Sequence, residues 1–521
     1  LEKEKQPLWT PTDTQIRNSN MTKFRETVNS DLRKNLHSYN ELYEFSIREN
    51  ESFWEEVWKF TKMKSRKPYT KVIDDSQKMP GANWFIGAEL NFAENLLRFR
   101  DDSIAIVSKS EDHEIRKLSY KDLYSAVGKL AFAMREMGVV KGDRVCAFMP
   151  NIPETIIAML ATTSIGALWS STSPDFGIGG VVDRFGQIAP KILFAANGYY
   201  FKGKTVSCIE KISEIVKQIP SIEKTVIVSF AEGLTELSSI RKPVWWDDFL
   251  PKENKPITFE YLPFNHPVYI MYSSGTTGLP KCMVQGAGVL VNHLKELVLH
   301  SELKKDDKIF YYTTCGWMMW NWLVSSLAVG ATVALFDGNP FYPGPEVLWD
   351  YAEKENFNIF GTSARYLSSL EQANYHPKNH FTLKNLNAIL STGSVLSKEN
   401  FEFVYNHVKK DVRLSSISGG TDLNGCFALG NPVLPVYNGE LQCRGLGMNV
   451  EVFNSNGNSV RNEKGELVCL SPFPSMPLFF WNDETGEKYR KAYFDTYENI
   501  WRHGDFAELT GAGGMIIYGR S

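Results

Sequence analysis

The sequence predicts an α/β protein with parallel sheets covered by helices, followed by a smaller β-rich part. Past Pro80, strand-like segments alternate with helix-like ones, a pattern typical of parallel sheets that carry helices on both faces. After about Leu434 the pattern changes to shorter strands interrupted by Gly, Asn and Pro. At 521 residues the chain is too long for one compact core, so we expect several packed subdomains.

The first eighty residues are charged and helical in character. Phe53, Val57 and Phe60 recur at the spacing of one helix face. Ser52 precedes them and is a residue type that caps helix N-termini. The pattern therefore predicts a helix that begins after Ser52 and buries this apolar face.

Four further strands and one helix carry clear signals in the sequence. Arg144–Met149 predicts a buried strand, and a helix should open at Pro153. Thr225–Phe230 and Val268–Tyr272 are further predicted strands of the α/β part. Glu466–Leu470 is a predicted strand of the β-rich part.

Composition excludes several classes of function. Hydrophobic residues make up 43% of the chain and charged residues 22%, as in ordinary globular proteins. The net charge of −3, with Lys and Arg spread along the chain, does not support nucleic-acid binding. The longest apolar stretches, 156–169 and 322–336, fall short of the ~18 residues of a membrane span. We expect a soluble protein whose partners are small molecules; the sequence indicates no oligomeric state.

The seven cysteines are an odd number, widely scattered and without a Cys-x-x-Cys pair. Disulfide frameworks and zinc sites cluster their cysteines, so this pattern predicts reduced thiols and a cytoplasmic location. The histidines lack metal-ligand spacings such as His-Glu-x-x-His. The chain has no signal-peptide pattern, begins without Met and ends at Ser521.

The segment with the strongest chemical signal follows the predicted strand 268–272. It combines hydroxyl groups, glycines and a lysine, which are Ser273, Ser274, Gly275, Thr276, Thr277, Gly278 and Lys281. Glycines let the backbone approach an anion, successive amides can bind it, and the lysine adds positive charge. The spacing is not that of a Walker loop. A phosphate-binding loop and an ordinary surface turn both remain open on composition alone.

The uninterrupted run Ser-Ser-Gly-Thr-Thr-Gly-Leu-Pro-Lys over 273–281 resembles the signature loop of the adenylate-forming superfamily, which includes acyl-CoA synthetases, luciferases and peptide-synthetase adenylation domains. The resemblance implies the large N-terminal adenylation domain, with two parallel-rich αβ subdomains, a smaller β subdomain, and the small C-terminal domain missing. Because the family's catalytic lysine lies in that small domain, we expect residues 1–521 alone to turn over poorly.

The segment 418–425 resembles the superfamily motif that meets the nucleotide phosphates and the metal ion. The resemblance assigns Thr421 to a phosphate and Asp422 to Mg²⁺, with Ser418 and Gly420 also in the ATP site. The expected catalytic residues are Thr421, Asp422 and Lys281. The family usually carries Glu at the position of Asp422, and taken alone the segment could be an Asp-capped glycine turn.

Two other segments resemble the motifs that hold the nucleoside. By resemblance to the family, Asp505 in 501–508 binds the ribose, and Arg520 near the hinge also approaches it. Residues 391–395 resemble the segment that flanks adenine, with Gly393, Ser394 and Val395 in the ATP site. Taken alone, a turn aspartate, a solvated arginine and a Gly-Ser turn are the competing interpretations.

The segments 41–47 and 84–91 resemble the N-terminal extension of the acetyl-CoA synthetase-like branch, and 313–320 is similar to its acyl-pocket segment. The expected acyl pocket comprises Trp317, Met318, Met319, Thr392 and Gly419. Core packing is the alternative for the aromatic and methionine side chains.

The resemblance places Gly419 where acetyl-CoA synthetases carry a tryptophan, so we expect room for an acid larger than acetate; a glycine that merely serves a tight turn beside Gly420 is the competing interpretation. A Gly419→Trp substitution is then expected to exclude the larger acid and to leave adenylation of acetate measurable or improved. Asn321, Ser418 and Asn424 are the candidate donors to a ketone oxygen of that acid.

The resemblance also places Lys202 and Lys204 where acetyl-CoA synthetases carry arginines facing the phosphate of coenzyme A. Two lysines on a turn are more often solvated, so this is the weaker of two interpretations.

The predicted division is an N-terminal extension over 1–100, αβ subdomains over 101–433, a β-rich subdomain over 434–518 and a hinge from 519 to 521. The implied reaction is ATP-dependent ligation of acetoacetate to coenzyme A through an acyl-adenylate, with Mg²⁺, releasing AMP and pyrophosphate. The alternatives are ligation of acetate, propionate or butyrate, and a non-catalytic nucleotide-binding module.

Overall fold

The computed structural model describes residues 6–111, 113–274 and 278–521. Its α-helices are α1 (Asp13–Asn18), α2 (Asn20–Leu32), α3 (Tyr39–Arg48), α4 (Asn50–Phe60), α5 (Phe92–Leu96), α6 (Tyr120–Glu136), α7 (Pro153–Ser164), α8 (Ile178–Ile188), α9 (Ile209–Gln218), α10 (Trp246–Phe249), α11 (Gly288–Leu294), α12 (Met318–Val324), α13 (Val347–Glu355), α14 (Ala364–Gln372), α15 (Lys398–Phe403) and α16 (Glu487–Tyr493). Short π-helical segments, Lys295–His300 and Val404–Val408, continue α11 and α15, and 3₁₀ turns span Ser325–Val329 and Pro377–Asn379.

The strands, numbered along the chain, are β1 (Lys71–Ile73), β2 (Trp84–Ile86), β3 (Glu89–Leu90), β4 (Ile104–Ser110), β5 (Arg116–Ser119), β6 (Arg144–Phe148), β7 (Leu168–Thr172), β8 (Ile192–Ala196), β9 (Gly198–Phe201), β10 (Lys204–Ser207), β11 (Lys224–Val228), β12 (Pro243–Trp245), β13 (Leu262–Pro263), β14 (Tyr269–Ser273), β15 (Lys281–Gln285), β16 (Lys308–Tyr311), β17 (Thr332–Asp337), β18 (Ile359–Ser363), β19 (Ala388–Thr392), β20 (Arg413–Ser416), β21 (Ser418–Gly420), β22 (Gly425–Leu429), β23 (Cys443–Arg444), β24 (Val450–Phe453), β25 (Gly465–Cys469), β26 (Phe479–Phe480), β27 (Trp501–Leu509) and β28 (Met515–Arg520).

Two large mixed sheets form the α/β part. In the order β12-β11-β8-β6-β7-β14-β15-β26, neighbouring strands are parallel from β12 to β14, and β15 and β26 are antiparallel. In the order β20-β19-β18-β16-β17-β4-β5, only the edge pair β4–β5 is antiparallel. All five residues of β8 are buried, as expected of a parallel strand covered on both faces. The α/β prediction is confirmed.

Two smaller sheets complete the part of the fold that holds the site. β21, β22 and β23 form an antiparallel sheet, with a register shift between Ser418 and Gly419. After Leu434 the chain forms the antiparallel sheet β24-β25-β27-β28, in agreement with a β-rich part, but β27 has nine residues and is longer than the short strands that the sequence predicts. The predicted strands at 144–149, 225–230, 268–272 and 466–470 correspond to β6, β11, β14 and β25, within one or two residues at each end.

One helix start was predicted wrongly. Helix α4 begins at Asn50, with Glu49 in the capping position and no side-chain cap, so Ser52 lies inside the first turn. The reason is that α3 ends at Arg48 and leads almost directly into α4. The predicted face is nevertheless formed, because Phe53 and Val57 are fully buried and Phe60 packs against the same core.

Two observations concern membrane-spanning helices and cysteine pairing. Within residues 6–111, 113–274 and 278–521, we find no helix with both the length and the apolar character needed to cross a bilayer. All seven cysteines belong to these residues, are buried and are unpaired.

Candidate functional site

A cavity of about 720 Å³ opens at the carboxyl ends of four neighbouring strands of the seven-stranded sheet. Its wall includes residues at the ends of β16, β18, β19 and β20, which are Tyr312, Ser363, Thr392 and Ser416. Ligands of α/β proteins bind at this edge of a parallel sheet, and the volume suits a nucleotide-sized molecule. The opposite wall comes from β21, β22, β27 and β28.

The segment after β19 lines this cavity with Gly393, Ser394 and Val395. Gly393 has φ +90°, a conformation that side-chain-bearing residues rarely adopt, although an added Cβ would meet no atom within 4 Å. The Thr392 hydroxyl donates to the carbonyl of Ile417 at 2.9 Å and ties the segment to the next strand. The three residues predicted to flank adenine therefore share one wall of the cavity.

The predicted ribose residues meet across two paired strands. Asp505 on β27 is the register partner of Arg520 on β28, and both line the cavity. An Arg520 guanidinium nitrogen lies 2.9 Å from Asp505 Oδ1, while His503 Nε2 lies 3.5 Å from Oδ2. Burial lowers the pKa of His503 despite the neighbouring carboxylate. The Arg520 side chain is 77% exposed, so it can move aside and leave the carboxylate to ribose hydroxyls at small cost.

Asp422 is the centre of a second polar group. Lys281 Nζ forms an ion pair with Asp422 Oδ1, the Tyr493 hydroxyl donates to the same oxygen, and Ser273 Oγ lies 3.5 Å from it. Burial alone would raise the pKa of Asp422, but the charge and hydrogen bond of Lys281, with the bond from Tyr493, hold it below its ordinary value. The carboxylate is thus ionised at neutral pH. Neighbouring Thr421 lines the cavity.

The hairpin of β14 and β15 brings parts of the predicted phosphate loop to Asp422. Ser273 and Lys281 are register partners at the end of the hairpin where the two strands are connected. Ser274 follows β14, and Gly278 has φ +88° with no atom within 4 Å of an added Cβ. The remaining loop residues of the prediction, Gly275, Thr276 and Thr277, lie outside the described residues.

The residues of the predicted acyl pocket line the same cavity. Trp317 precedes α12, and Met318 and Met319 are its first two residues; all three line the cavity. Met318 and Met319 are buried, whereas Trp317 is 59% exposed. Thr392 and Gly419 also line the cavity, so the five residues of the predicted acyl pocket are brought together.

The expectation that a tryptophan at Gly419 would simply fill this pocket is wrong. A Cβ at position 419 would lie 2.0 Å from the carbonyl oxygen of Gly425 and 2.7 Å from Cys426 Cα, inside the paired strand β22. Any side chain there must displace backbone before it can reach the cavity. Gly420 differs, since its added Cβ would meet only His503 Cε1, at 3.9 Å.

Of the three candidate donors to a ketone oxygen, Ser418 lines the cavity. Asn424 is fully buried and engaged elsewhere: its amide nitrogen bonds Met271 Sδ at 3.0 Å, and its Oδ1 lies 2.8 Å from His293 Nε2. Asn321 is buried in α12 and is not part of the cavity wall. The geometry therefore favours Ser418.

The two lysines predicted to bind coenzyme A lie outside the cavity. Lys202 and Lys204 are exposed on the hairpin of β9 and β10 and do not line the cavity. The amides of Lys202 and Gly203 donate to Glu111 at 2.9 and 2.8 Å, which fixes the turn.

Tyr493 is a site residue that sequence reasoning missed. It ends α16 and stacks on Trp501 with ring centroids 3.8 Å apart, which aims its hydroxyl at Asp422. Seventy-one positions separate Tyr493 from Asp422, and no motif marks it. Its nearness to the recognised segment 501–508 is the only signal that the sequence offers.

Comparison with known proteins places this geometry in context. The profile of the AMP-binding enzyme family matches residues 92–476, and that of the acetyl-coenzyme A synthetase N-terminus matches residues 39–96. The chain is 47% identical over 518 residues to an acetoacetyl-coenzyme A synthetase of Rhizobium meliloti (strain 1021), covering 99% of this chain and 79% of the relative.

Two further similarities extend over the same length. The chain is 46% identical over 529 residues to an acetoacetyl-CoA synthetase of Gallus gallus, covering 99% of this chain and 79% of the relative. The solved structure of an acetoacetyl-CoA synthetase from Streptomyces lividans superposes with a TM-score of 0.94 at 38% identity, covering 99% of this chain and 80% of that one.

Proposed function

The chain belongs to the AMP-binding enzyme family, and we propose from this premise that it ligates acetoacetate to coenzyme A through an acyl-adenylate, releasing AMP and pyrophosphate. The observation that carries the proposal is that one cavity is lined both by the Asp505 carboxylate and by the apolar side chains of Met318 and Met319; we call the part that these two methionines line the acyl end. An acyl-adenylate carries a nucleoside, whose ribose would meet Asp505, and a short acyl group, which would meet the two methionines.

The chemistry requires positioning rather than a protein nucleophile. The acid carboxylate attacks the α-phosphorus of ATP, pyrophosphate leaves, and the thiolate of coenzyme A then displaces AMP from the mixed anhydride. In this assignment, Asp505 accepts hydrogen bonds from the ribose hydroxyls, residues 393–395 flank adenine, and Thr421 contacts the phosphate. Lys281 provides positive charge beside the phosphates.

Asp422 is the residue that would hold Mg²⁺. The fit rests on an ionised carboxylate whose contacts with Lys281, Tyr493 and Ser273 are all made by Oδ1. Mg²⁺ commonly takes one or two carboxylates together with substrate phosphates and water, and no cluster of three acidic, His or Cys ligands occurs among the described residues. When bound, the ion would neutralise charge on the phosphates.

The assignment of Lys202 and Lys204 to coenzyme A remains part of the proposal and is supported by their exposed positive charge. The high sequence identity to acetoacetyl-CoA synthetases favours acetoacetate over acetate, propionate or butyrate. Ser418 is the donor that we assign to the ketone oxygen, because it lies on the cavity wall.

The test is a calorimetric titration with AMP and with hydrolysis-resistant acyl-sulfamoyl adenosines that carry acetyl, propionyl, butyryl or acetoacetyl groups. We expect the acetoacetyl compound to bind tightest, and Ser418→Ala to reduce its lead over the butyryl compound by roughly tenfold, the value of one lost hydrogen bond. A tighter butyryl compound would refute the ketone assignment. Equal affinity of AMP and all four compounds would instead indicate a nucleotide-binding module.

A further inference from the structure

A fully buried ion pair lies directly behind the acyl end of the cavity. Lys295 and Glu296 begin the π-helical segment that continues α11, both side chains are 0% exposed, and Lys295 Nζ lies 3.7 Å from Glu296 Oε1. Removing two charges from water is costly, so a gain in stability is a poor explanation for a buried pair of this kind. Single-turn π-helical segments also occur frequently at functional sites.

The Glu296 carboxylate joins the two walls of the acyl end. Oε1 accepts the backbone amide of Cys426 on β22 at 2.8 Å, and Oε2 accepts Trp322 Nε1 on α12 at 2.9 Å. Cys426 itself lines the cavity, and α12 carries the lining residues Met318 and Met319. A single carboxylate therefore links the β22 wall to the α12 wall.

A second polar bridge, made by a residue of the same helix, also joins α12 to β22. His293 Nδ1 lies 2.9 Å from Ser325 Oγ, just beyond α12, and Nε2 lies 2.8 Å from Asn424 Oδ1, just before β22. His293 and Glu296 are three positions apart, so they lie on one face of the helix. Two independent polar bridges thus hold β22 against α12.

We propose that Glu296 is a positioning residue for acyl recognition, which fixes the width of the acyl end by bridging Cys426 and Trp322. The inference rests on the proposed function, because it concerns the acyl part of that site. Both oxygens must act as acceptors, since both partners are N–H donors. Glutamine at this position has one oxygen and one amide nitrogen, so it can satisfy one wall and must place donor against donor at the other.

The experiment compares the affinity for the acetoacetyl-sulfamoyl adenosine with the affinity for AMP in each variant, which isolates the contribution of the acyl group. We expect Glu296→Gln and Trp322→Phe to leave AMP affinity within about twofold. We expect them to lower the acyl contribution by about tenfold, the lower end of what a well-packed pocket discriminates per methylene. The double variant should lose no more than Glu296→Gln alone, because both changes break the same bridge.

His300→Gln is the matched control. His300 is buried in the same π-helical segment, but its partners do not line the cavity; they are the carbonyl of Gly430, the amide of Leu446 and Cys443 Sγ. It should lower the melting temperature without changing the acyl contribution. If Glu296→Gln does not fold, Trp322→Phe alone decides.

Variants at 296 and 322 that lose stability while the acyl contribution stays at the wild-type value would overturn the proposal and show a purely structural pair. A wild-type protein for which AMP and the acetoacetyl compound bind equally would refute the proposed function as well, so the two failures are distinguishable.

Discussion

Alanine at Gly419 should destabilise the fold whereas alanine at Gly420 should have little effect, although the two glycines are adjacent and both line the cavity. At Gly419 the new Cβ would lie 2.0 Å from the Gly425 carbonyl oxygen and 2.7 Å from Cys426 Cα. Since unstrained contacts need about 3.5 Å, β21 and β22 must separate by roughly 1 Å or more. At Gly420 the nearest atom would be 3.9 Å away, an ordinary contact.

The expected magnitudes follow from this difference. Overpacking against rigid backbone costs about 1–3 kcal/mol, so in a chain of 521 residues that unfolds as one unit Gly419→Ala should lower the melting temperature by about 1–3 °C. Gly420→Ala should change stability by no more than about 1 kcal/mol, because its φ lies outside the left-handed region and space is available. The displacement of β21 in Gly419→Ala should also weaken AMP and the acyl-adenylate compounds together.

The assay is differential scanning calorimetry of the two variants and the wild type at one pH, followed by titration with AMP and the acetoacetyl compound. Equal melting temperatures for Gly419→Ala and Gly420→Ala would refute the backbone-contact reasoning. Loss of the acyl compound alone in Gly419→Ala, at wild-type stability, would restore the interpretation of Gly419 as a pocket-opening residue.

Three further predictions concern single side chains. Asp505→Ala should lower AMP affinity about ten- to a hundredfold in a calorimetric titration, the value of charge-assisted hydrogen bonds, whereas Glu508→Ala on the same strand should not. Tyr493→Phe should reduce about tenfold the gain in ATP affinity that Mg²⁺ provides, because Asp422 loses a hydrogen-bond donor. Tyr489→Phe in the same helix is the control, and equal losses in the two variants would contradict the assignment. Burial lowers the pKa of His293 from its ordinary 6.5 to about 4, so the unfolded chain binds more protons between these values and stability is lost as pH falls through that window. Urea titrations at pH 7 and pH 5 give the change in the free energy of unfolding between the two pH values, and this change should be about 2 kcal/mol smaller in His293→Gln than in the wild type. An equal change in both proteins would contradict a neutral buried His293.

The local chemistry of the site could be predicted from the sequence because it resides in short contiguous segments. Ser273 and Lys281, Thr421 and Asp422, and Gly393 with Ser394 each lie within one short motif that the resemblance to the adenylate-forming superfamily identifies, whereas residue types alone leave an ordinary turn open at each. Strands such as β6 and β11 were predicted for the same reason, since an apolar run between polar flanks is a local pattern.

Contacts between distant segments were decided only by the tertiary structure. The Tyr493 hydroxyl reaches Asp422 because Tyr493 stacks on Trp501, and Glu296 joins Cys426 to Trp322 because three elements pack around it. Such contacts depend on how helices and strands pack across many intervening residues, which periodicity and propensity do not encode. The direction of a Cβ at Gly419 is of the same kind: the sequence shows that the position is small, but the pairing of β21 with β22 determines that the missing side chain would meet backbone rather than the cavity.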